Sequence, residues 1–217
     1  MTVRNAIANR GGTSAQEQFR ELSGDASPVG RFHTWWRGDS LCLLPGVPAL
    51  SIAPAEDEGF LEGLGELDSR EIQQRIRRGH QPWLARVAGQ VVGWGWCATE
   101  EASIGELGIS FQIPPGNRYL WDFVTTPSWR GRGIYPRLLQ TIVVREREAE
   151  RFWLGHDLSN EASARGIAKS GFHEVGVLYS RWDGAFALAR SGPVSVAAAA
   201  SALFGLPVAD PVSAAIA

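Results

Sequence analysis

The stretch from Leu120 to Leu139, Leu-Trp-Asp-Phe-Val-Thr-Thr-Pro-Ser-Trp-Arg-Gly-Arg-Gly-Ile-Tyr-Pro-Arg-Leu-Leu, constrains this chain more than any other. Its first part reads as a strand and its last as an amphipathic helix; the turn between them holds Arg130, Gly131, Arg132 and Gly133. Glycine enters left-handed backbone conformations that cost other residues energy. The N–H groups of a helix's first turn lack partners inside the helix, and a phosphate there is favoured by the positive helix end. Pro136 fits because the first helical turn tolerates proline. Taken alone, the glycine pair is equally compatible with an ordinary βα turn.

The pattern around this unit predicts a mixed architecture. A short strand near Leu50 precedes helical spacing of Phe60, Leu61, Leu64 and Leu67, and Asp68 to Glu71 has the form of a capping box opening a second helix that ends at Gly79. Residues 83–87 and 91–96 flank Ala88-Gly89-Gln90 as a hairpin, and 104–113 reads as a further strand closed by Pro114-Pro115-Gly116-Asn117. After the strand at 119–125, the stripe Ile134, Leu138, Leu139, Ile142 and Val143 marks the next helix. A strand at 152–154, a helix from an Asn160 N-cap to Gly171, and strands at 172–179 and 182–189 complete the series. Helices separated by runs of strands imply an α+β fold with a mixed sheet. Residues 1–48 are expected to be an extension whose first 30 or so form a mobile arm or a loosely docked helix, 49–190 the domain proper, and 191–217 an alanine-rich tail, helical or disordered. Trp35 and Trp36 are expected to pack on the core in preference to walling a substrate.

Composition excludes several classes. A net charge of −2 gives no global attraction to nucleic acid, and no apolar run approaches the roughly 20 residues of a membrane span. With no convincing secretion signal, a cytoplasmic location is expected. Cys42 and Cys97 are far apart and lack metal-ligand spacing, so two buried free thiols are expected and no metal site.

Arg130-Gly131-Arg132-Gly133 follows a strand ending in Thr-Pro, and Asn160-Glu161-Ala162-Ser163 and Gly171-Phe172 come about 30 to 40 residues later. In this combination the chain resembles the GNAT superfamily of acyl-CoA-dependent N-acyltransferases over about residues 50–190, most specifically over 120–172. The resemblance implies a mostly antiparallel sheet that splays at the acyl-CoA site and is flanked by helices. Acetyl-CoA would be the co-substrate. Phe123, Val124 and Thr125 would pair with the pantetheine arm as an added strand. Arg130, Gly131, Arg132, Gly133, Ile134 and Tyr135 would hold the pyrophosphate, with Arg132 and Arg137 near the nucleotide phosphates and Asn160 and Ser163 facing the cofactor. For Arg132 and Arg137 solvation, and for Asn160 helix capping, are equally good accounts.

Two positions depart from the family pattern: Tyr135-Pro136 stands where the turn usually ends in Gly or Ala, and Ile167 stands where a tyrosine often protonates the departing thiolate. The expected reaction is direct attack of a primary amine on the bound thioester in a ternary complex, with no acyl-enzyme, since neither cysteine lies near the motif in sequence. Glu106, read as lying on the preceding strand, is the candidate base; Tyr179 and Tyr135 are the phenols nearby in sequence. Strand alternation places Asp122 on the face opposite Tyr119 and Trp121, in a structural role. Trp94, Trp96, Trp121 and Trp129 either line an acceptor pocket or fill core. The acceptor is expected to be a small-molecule amine first and a protein amine second, with a homodimer left open. A non-catalytic acyl-CoA sensor or assembly domain is the alternative.

Overall fold

A computed structural model of the chain describes residues 26–55, 68–180 and 184–209. The helix expected at 56–67 lies outside the described residues. Strand β1, Ser27–Trp36, is followed by β2, Leu50–Pro54, and helix α1, Ser69–Arg77. Asp68 caps α1 by accepting from the Glu71 N–H at 2.8 Å, and Gly79, at φ 75°, turns the chain out of it. Strands β3, His80–Val87, and β4, Gln90–Ala98, form the expected hairpin. Residues 104–113 are not one strand: β5, Glu101–Ile104, and β6, Ile109–Gln112, make a separate two-stranded sheet around a 3₁₀ turn, Gly105–Leu107. Then come β7, Asn117–Thr125; α2, Ile134–Arg145; β8, Arg151–Asp157; α3, Glu161–Ser170; β9, His173–Ser180; β10, Phe186–Arg190; α4, Val194–Phe204; and β11, Val208–Ala209.

Nine strands form one mixed sheet in the order β11-β10-β9-β1-β8-β7-β4-β3-β2, antiparallel throughout except at β7–β8 and β10–β11. Apolar side chains on both faces bury it. Under α2 and α3 lie Trp35, Leu120, Phe152 and Leu154, packed on Ile134, Leu138, Leu139, Ile142, Ile167 and Phe172. On the other face, Phe32, Tyr119, Trp153 and Leu178 meet the β5–β6 hairpin and Phe204 of α4.

Two expected boundaries are corrected. The segment read as an N-terminal extension supplies β1, which sits mid-sheet between β8 and β9. Its alternation was hidden because both faces of the sheet are covered there, by α2 and α3 on one side and by α4 and the β5–β6 hairpin on the other: Phe32, Thr34 and Trp35 are all buried. Residues 191–209 of the alanine-rich tail likewise belong to the fold. Helix α4 buries Ala197, Ala200, Leu203 and Phe204, and β11 adds to β10. Of the two thiols, Cys97 is buried and Cys42 is exposed, contrary to expectation.

Candidate functional site

The site begins with a bulge. Trp121 of β7 pairs with Trp96 and Val124 with Trp94, so Asp122 and Phe123 together oppose Gly95. Asp122 absorbs the extra residue at φ 52°, and the Phe123 ring lies where a Cβ on Gly95 would stand. A bulge bends its strand and strengthens its twist. On its other edge β7 pairs with β8 only over Asn117, Arg118 and Tyr119, whereas β8 pairs with β1 along its whole length. Past Tyr119, the two parallel strands diverge. The edge of β7 facing that gap carries backbone groups with no strand beside them.

The Arg/Gly turn stands at the end of β7. Thr126 anchors its start, its N–H donating to Val92 O at 3.0 Å and its hydroxyl at 3.2 Å. Gly131 and Gly133 take φ 75° and 73°, and Gly133 is the N-cap of α2 with no capping side chain. The N–H groups of Gly133, Ile134 and Tyr135 therefore precede the first intrahelical bond. A Cβ on Gly131 would meet nothing within 4 Å, so this side of the turn is open. Arg130 and Arg137 are partly spent on the turn itself, donating to Thr125 O at 3.2 Å and Gly133 O at 2.7 Å. Arg132 lies over the Trp129 ring, 4.8 Å from its centroid.

A second helix start faces the first. Asn160 caps α3, its Oδ1 accepting from the Ser163 N–H at 3.0 Å, so its side chain is committed to the helix. The Ser163 hydroxyl donates to the Tyr135 phenol oxygen at 3.4 Å. Tyr135 fits because Gly166 on α3 has no side chain, and its ring lies 5.3 Å from that of Phe123. Burial pushes the Tyr135 phenol up to about 12, the hydrogen bond from Ser163 opposing it.

On the far face of the sheet, the gap meets a cavity of about 820 Å³. Phe32, Tyr119, Trp121 and Leu178 supply its apolar wall, and Arg31, Arg75, Arg78, Glu71, Glu106, Asp122 and Asp157 its charges. Arg75 is clamped, 4.3 Å from the Trp121 centroid and 5.0 Å from that of Trp96, and paired with both Glu71 and Asp122. Arg31 pairs with Glu174 and Arg78 with Glu101, so all three arginines have carboxylate partners. Asp157 is held below the usual carboxylate range by hydrogen bonds from the Ser159 hydroxyl and N–H.

Of the residues expected at the cofactor, Tyr135 touches both Phe123 and Ser163, and Asn160 caps the helix that carries Ser163. Glu106 lines the cavity from the 3₁₀ turn, not from a strand as expected. Tyr179 is not brought in: its neighbour Leu178 lines the cavity, and successive residues of a strand face opposite ways. Asp122 is corrected in the other direction. The bulge breaks the alternation that set it apart from Trp121, and both line the cavity. Trp94 and Trp96 are core, Trp121 is cavity wall, and Trp129 packs beneath Arg132.

Two further side chains shape the cavity, Tyr119 and Arg75. Burial pushes the Tyr119 phenol up, and the negative charge of Glu106 and then Tyr135 push it further. No pattern marks Arg75, since its role follows from a cross-element stack. Among the described residues, no group of three or more His, Cys, Asp or Glu side chains is placed to hold a metal, and no helix is long and apolar enough to cross a membrane.

Comparison with curated proteins finds no match. Among solved structures, an acetyltransferase of the GNAT family from Colwellia psychrerythraea superposes with a TM-score of 0.51 at 15% identity, over 74% of this chain and 59% of that one. A GCN5-related N-acetyltransferase from Kribbella flavida gives 0.47 at 15% identity, over 72% and 59%. An aminoglycoside acetyltransferase from an uncultured soil metagenomic sample, in complex with sisomicin, gives 0.41 at 14% identity, over 56% and 87%. The chain thus spans about six tenths of the first two, and the superposition on the Colwellia protein shows the shared fold. The model of the acetyltransferase (GNAT) family matches residues 50–172, more than half of the sequence and the whole stretch from β2 to the end of α3, so the chain belongs to the GNAT acetyltransferase family.

Proposed function

We propose that the protein transfers an acetyl group from acetyl-CoA to a small-molecule primary amine by direct attack in a ternary complex. The observation that carries this reading is the divergence of β7 from β8, which joins an open helix-start turn on one side of the sheet to a polar cavity on the other. Pantetheine would pair with the free edge of β7 at Phe123, Val124 and Thr125. The pyrophosphate would take the N–H groups of residues 131–135, with Arg132 and Arg137 at its flank. Asn160, whose side chain is already used, would act through its backbone, and Ser163 through its hydroxyl.

The cavity has the size of a small-molecule site. Since its arginines are paired, Glu106 and Asp157 leave it attractive to a cationic amine. Glu106 would take the proton from the incoming ammonium, directly or through one water, and the neutral amine would attack the thioester carbonyl. A covalent route is disfavoured. Cys97 is fully buried with its thiol pushed well up by that burial, and Cys42 lies outside the cavity against α3.

A panel of amines offered to the protein with acetyl-CoA, followed by free-thiol detection, tests this. Amine-dependent thiol release supports the reading. Binding of acetyl-CoA with no release from any amine would favour a sensor or assembly role, in line with the fully buried Ile167 at the position where the family often has a tyrosine.

A further inference from the structure

Asp122 is held in a conformation that a regular strand would not give it. At φ 52° its backbone is left-handed, which strains a residue with a side chain but not a glycine. In a regular strand, successive side chains leave on opposite faces, so Trp121 and Asp122 could not meet one partner. Here both meet Arg75 of α1: its guanidinium lies 4.3 Å from the Trp121 ring centroid and pairs with the Asp122 carboxylate. The same guanidinium pairs with Glu71 and stacks on Trp96, the β4 residue opposite Trp121. The Arg75 side chain is only 13% exposed. Ile72, one turn before Arg75, anchors α1 to the sheet among Leu84, Trp94 and Trp96. Arg75 can therefore grip two consecutive β7 residues only while the strand is bulged.

We propose that Arg75 and Asp122 are positioning residues for acyl-CoA: their ion pair locks β7 in its bulged form and so presents the edge at Phe123, Val124 and Thr125 to pantetheine. The inference goes beyond the acyl-CoA placement above and rests on it. Without the bulge, the pairing of Trp121 with Trp96 would continue as Asp122 with Gly95 and Phe123 with Trp94. Residues from Phe123 on would then turn to the other face of the sheet. Phe123 would leave Tyr135 at the start of α2, and Asp122 would leave Arg75. Two forces oppose one another at this point. The left-handed backbone of Asp122 favours the regular strand, whereas the ion pair and the stack on Trp121 favour the bulge. The lock thus ties α1, which walls the acceptor cavity through Glu71, Arg75 and Arg78, to the strand edge proposed for the cofactor.

Asp122→Ala and Asp122→Gly separate these forces. Both remove the carboxylate, but only the glycine variant takes φ 52° without strain. Asp122→Ala should weaken CoA and pantetheine alike by roughly 5- to 30-fold, the factor set by the cost of one left-handed residue. Asp122→Gly should stay within about threefold of wild type for both. Arg75→Met should weaken both ligands as Asp122→Ala does, and the double variant Arg75→Met/Asp122→Gly should bind them more tightly than Arg75→Met alone. Calorimetry reads the affinities, and urea denaturation checks that each variant folds. Equal affinities in Asp122→Ala and Asp122→Gly, or a double variant no tighter than Arg75→Met, would overturn the lock. Amide exchange of the ligand-free protein reads it without a cofactor: residues 121–125 should exchange faster in Asp122→Ala than in Asp122→Gly, and equal rates would count against it. If the wild type binds neither CoA nor pantetheine, the acyl-CoA placement fails, while the exchange contrast still decides the lock.

Discussion

Replacing Gly131 by alanine separates the cost of folding the turn from the cost of closing it to a ligand. At φ 75°, alanine carries a conformational penalty of about 1 kcal/mol, but its methyl would meet no atom of the protein within 4 Å. Stability should therefore fall by about 1 kcal/mol, or roughly 2–4 °C in Tm. CoA should suffer more. The methyl would occupy the open side of the turn and displace a phosphate from its N–H donors, and one lost charge-assisted hydrogen bond of about 1.5–3 kcal/mol weakens binding at least tenfold. Gly133→Ala differs in a defined way: its Cβ would overlap the Arg137 guanidinium and break that group's bond to Gly133 O. It should cost about 1 kcal/mol more in stability than Gly131→Ala. Urea denaturation gives the stabilities, and calorimetry with CoA and with pantetheine alone gives the affinities. Pantetheine, which lacks the nucleotide phosphates, should bind Gly131→Ala as it binds wild type. If Gly131→Ala binds CoA with wild-type affinity, or loses CoA and pantetheine equally, the turn is not the phosphate site.

Three further outcomes are expected. Glu106→Gln should lower kcat/KM by about 10²–10⁴-fold with acetyl-CoA affinity unchanged, as measured by steady-state kinetics and calorimetry, if Glu106 is the base. Arg75→Met should lose about 1–3 kcal/mol of stability in urea, because it removes the stack on Trp96 and Trp121 and leaves Asp122 and Glu71 without their partner. His33, buried on β1 and lowered to about 4 chiefly by burial and then by His156, stays neutral in the fold while the unfolded chain takes up its proton below about 6.5. Stability should therefore drop as pH falls from about 6.5 to 4, by about 3 kcal/mol from this group, and His33→Phe should remove that part of the acid sensitivity in denaturation series at several pH values.

The phosphate turn was legible because its chemistry is local. Two left-handed glycines, a following proline and an apolar stripe define a strand–turn–helix unit without reference to the rest of the fold. Asn160 and Gly171 were legible for the same reason, as caps of one helix. What escaped was set by pairing across distance. Strand β1 is buried on both faces because it lies mid-sheet, between β8 and β9, with α2 and α3 over one face and α4 and the β5–β6 hairpin over the other, so no period of two announced it. The bulge at Asp122 leaves no trace in composition, yet it moves Asp122 to the face of Trp121 and starts the divergence from β8. Tyr179 looked available only because sequence proximity takes no account of which way a strand residue points. Tyr135 gained its place from Gly166, thirty-one residues along the chain and one helix away.

The central claim is that acyl-CoA lies in the gap between β7 and β8 with its phosphates on the start of α2. Amide hydrogen exchange with and without acetyl-CoA tests it most directly, because the N–H groups of Gly133, Ile134 and Tyr135 have no partner within the helix. Slowed exchange on binding at residues 131–135 and along the free edge of β7, with β2 and β3 unchanged, is the expected result. Binding that leaves 131–135 unprotected, or protects a different part of the surface, would contradict it.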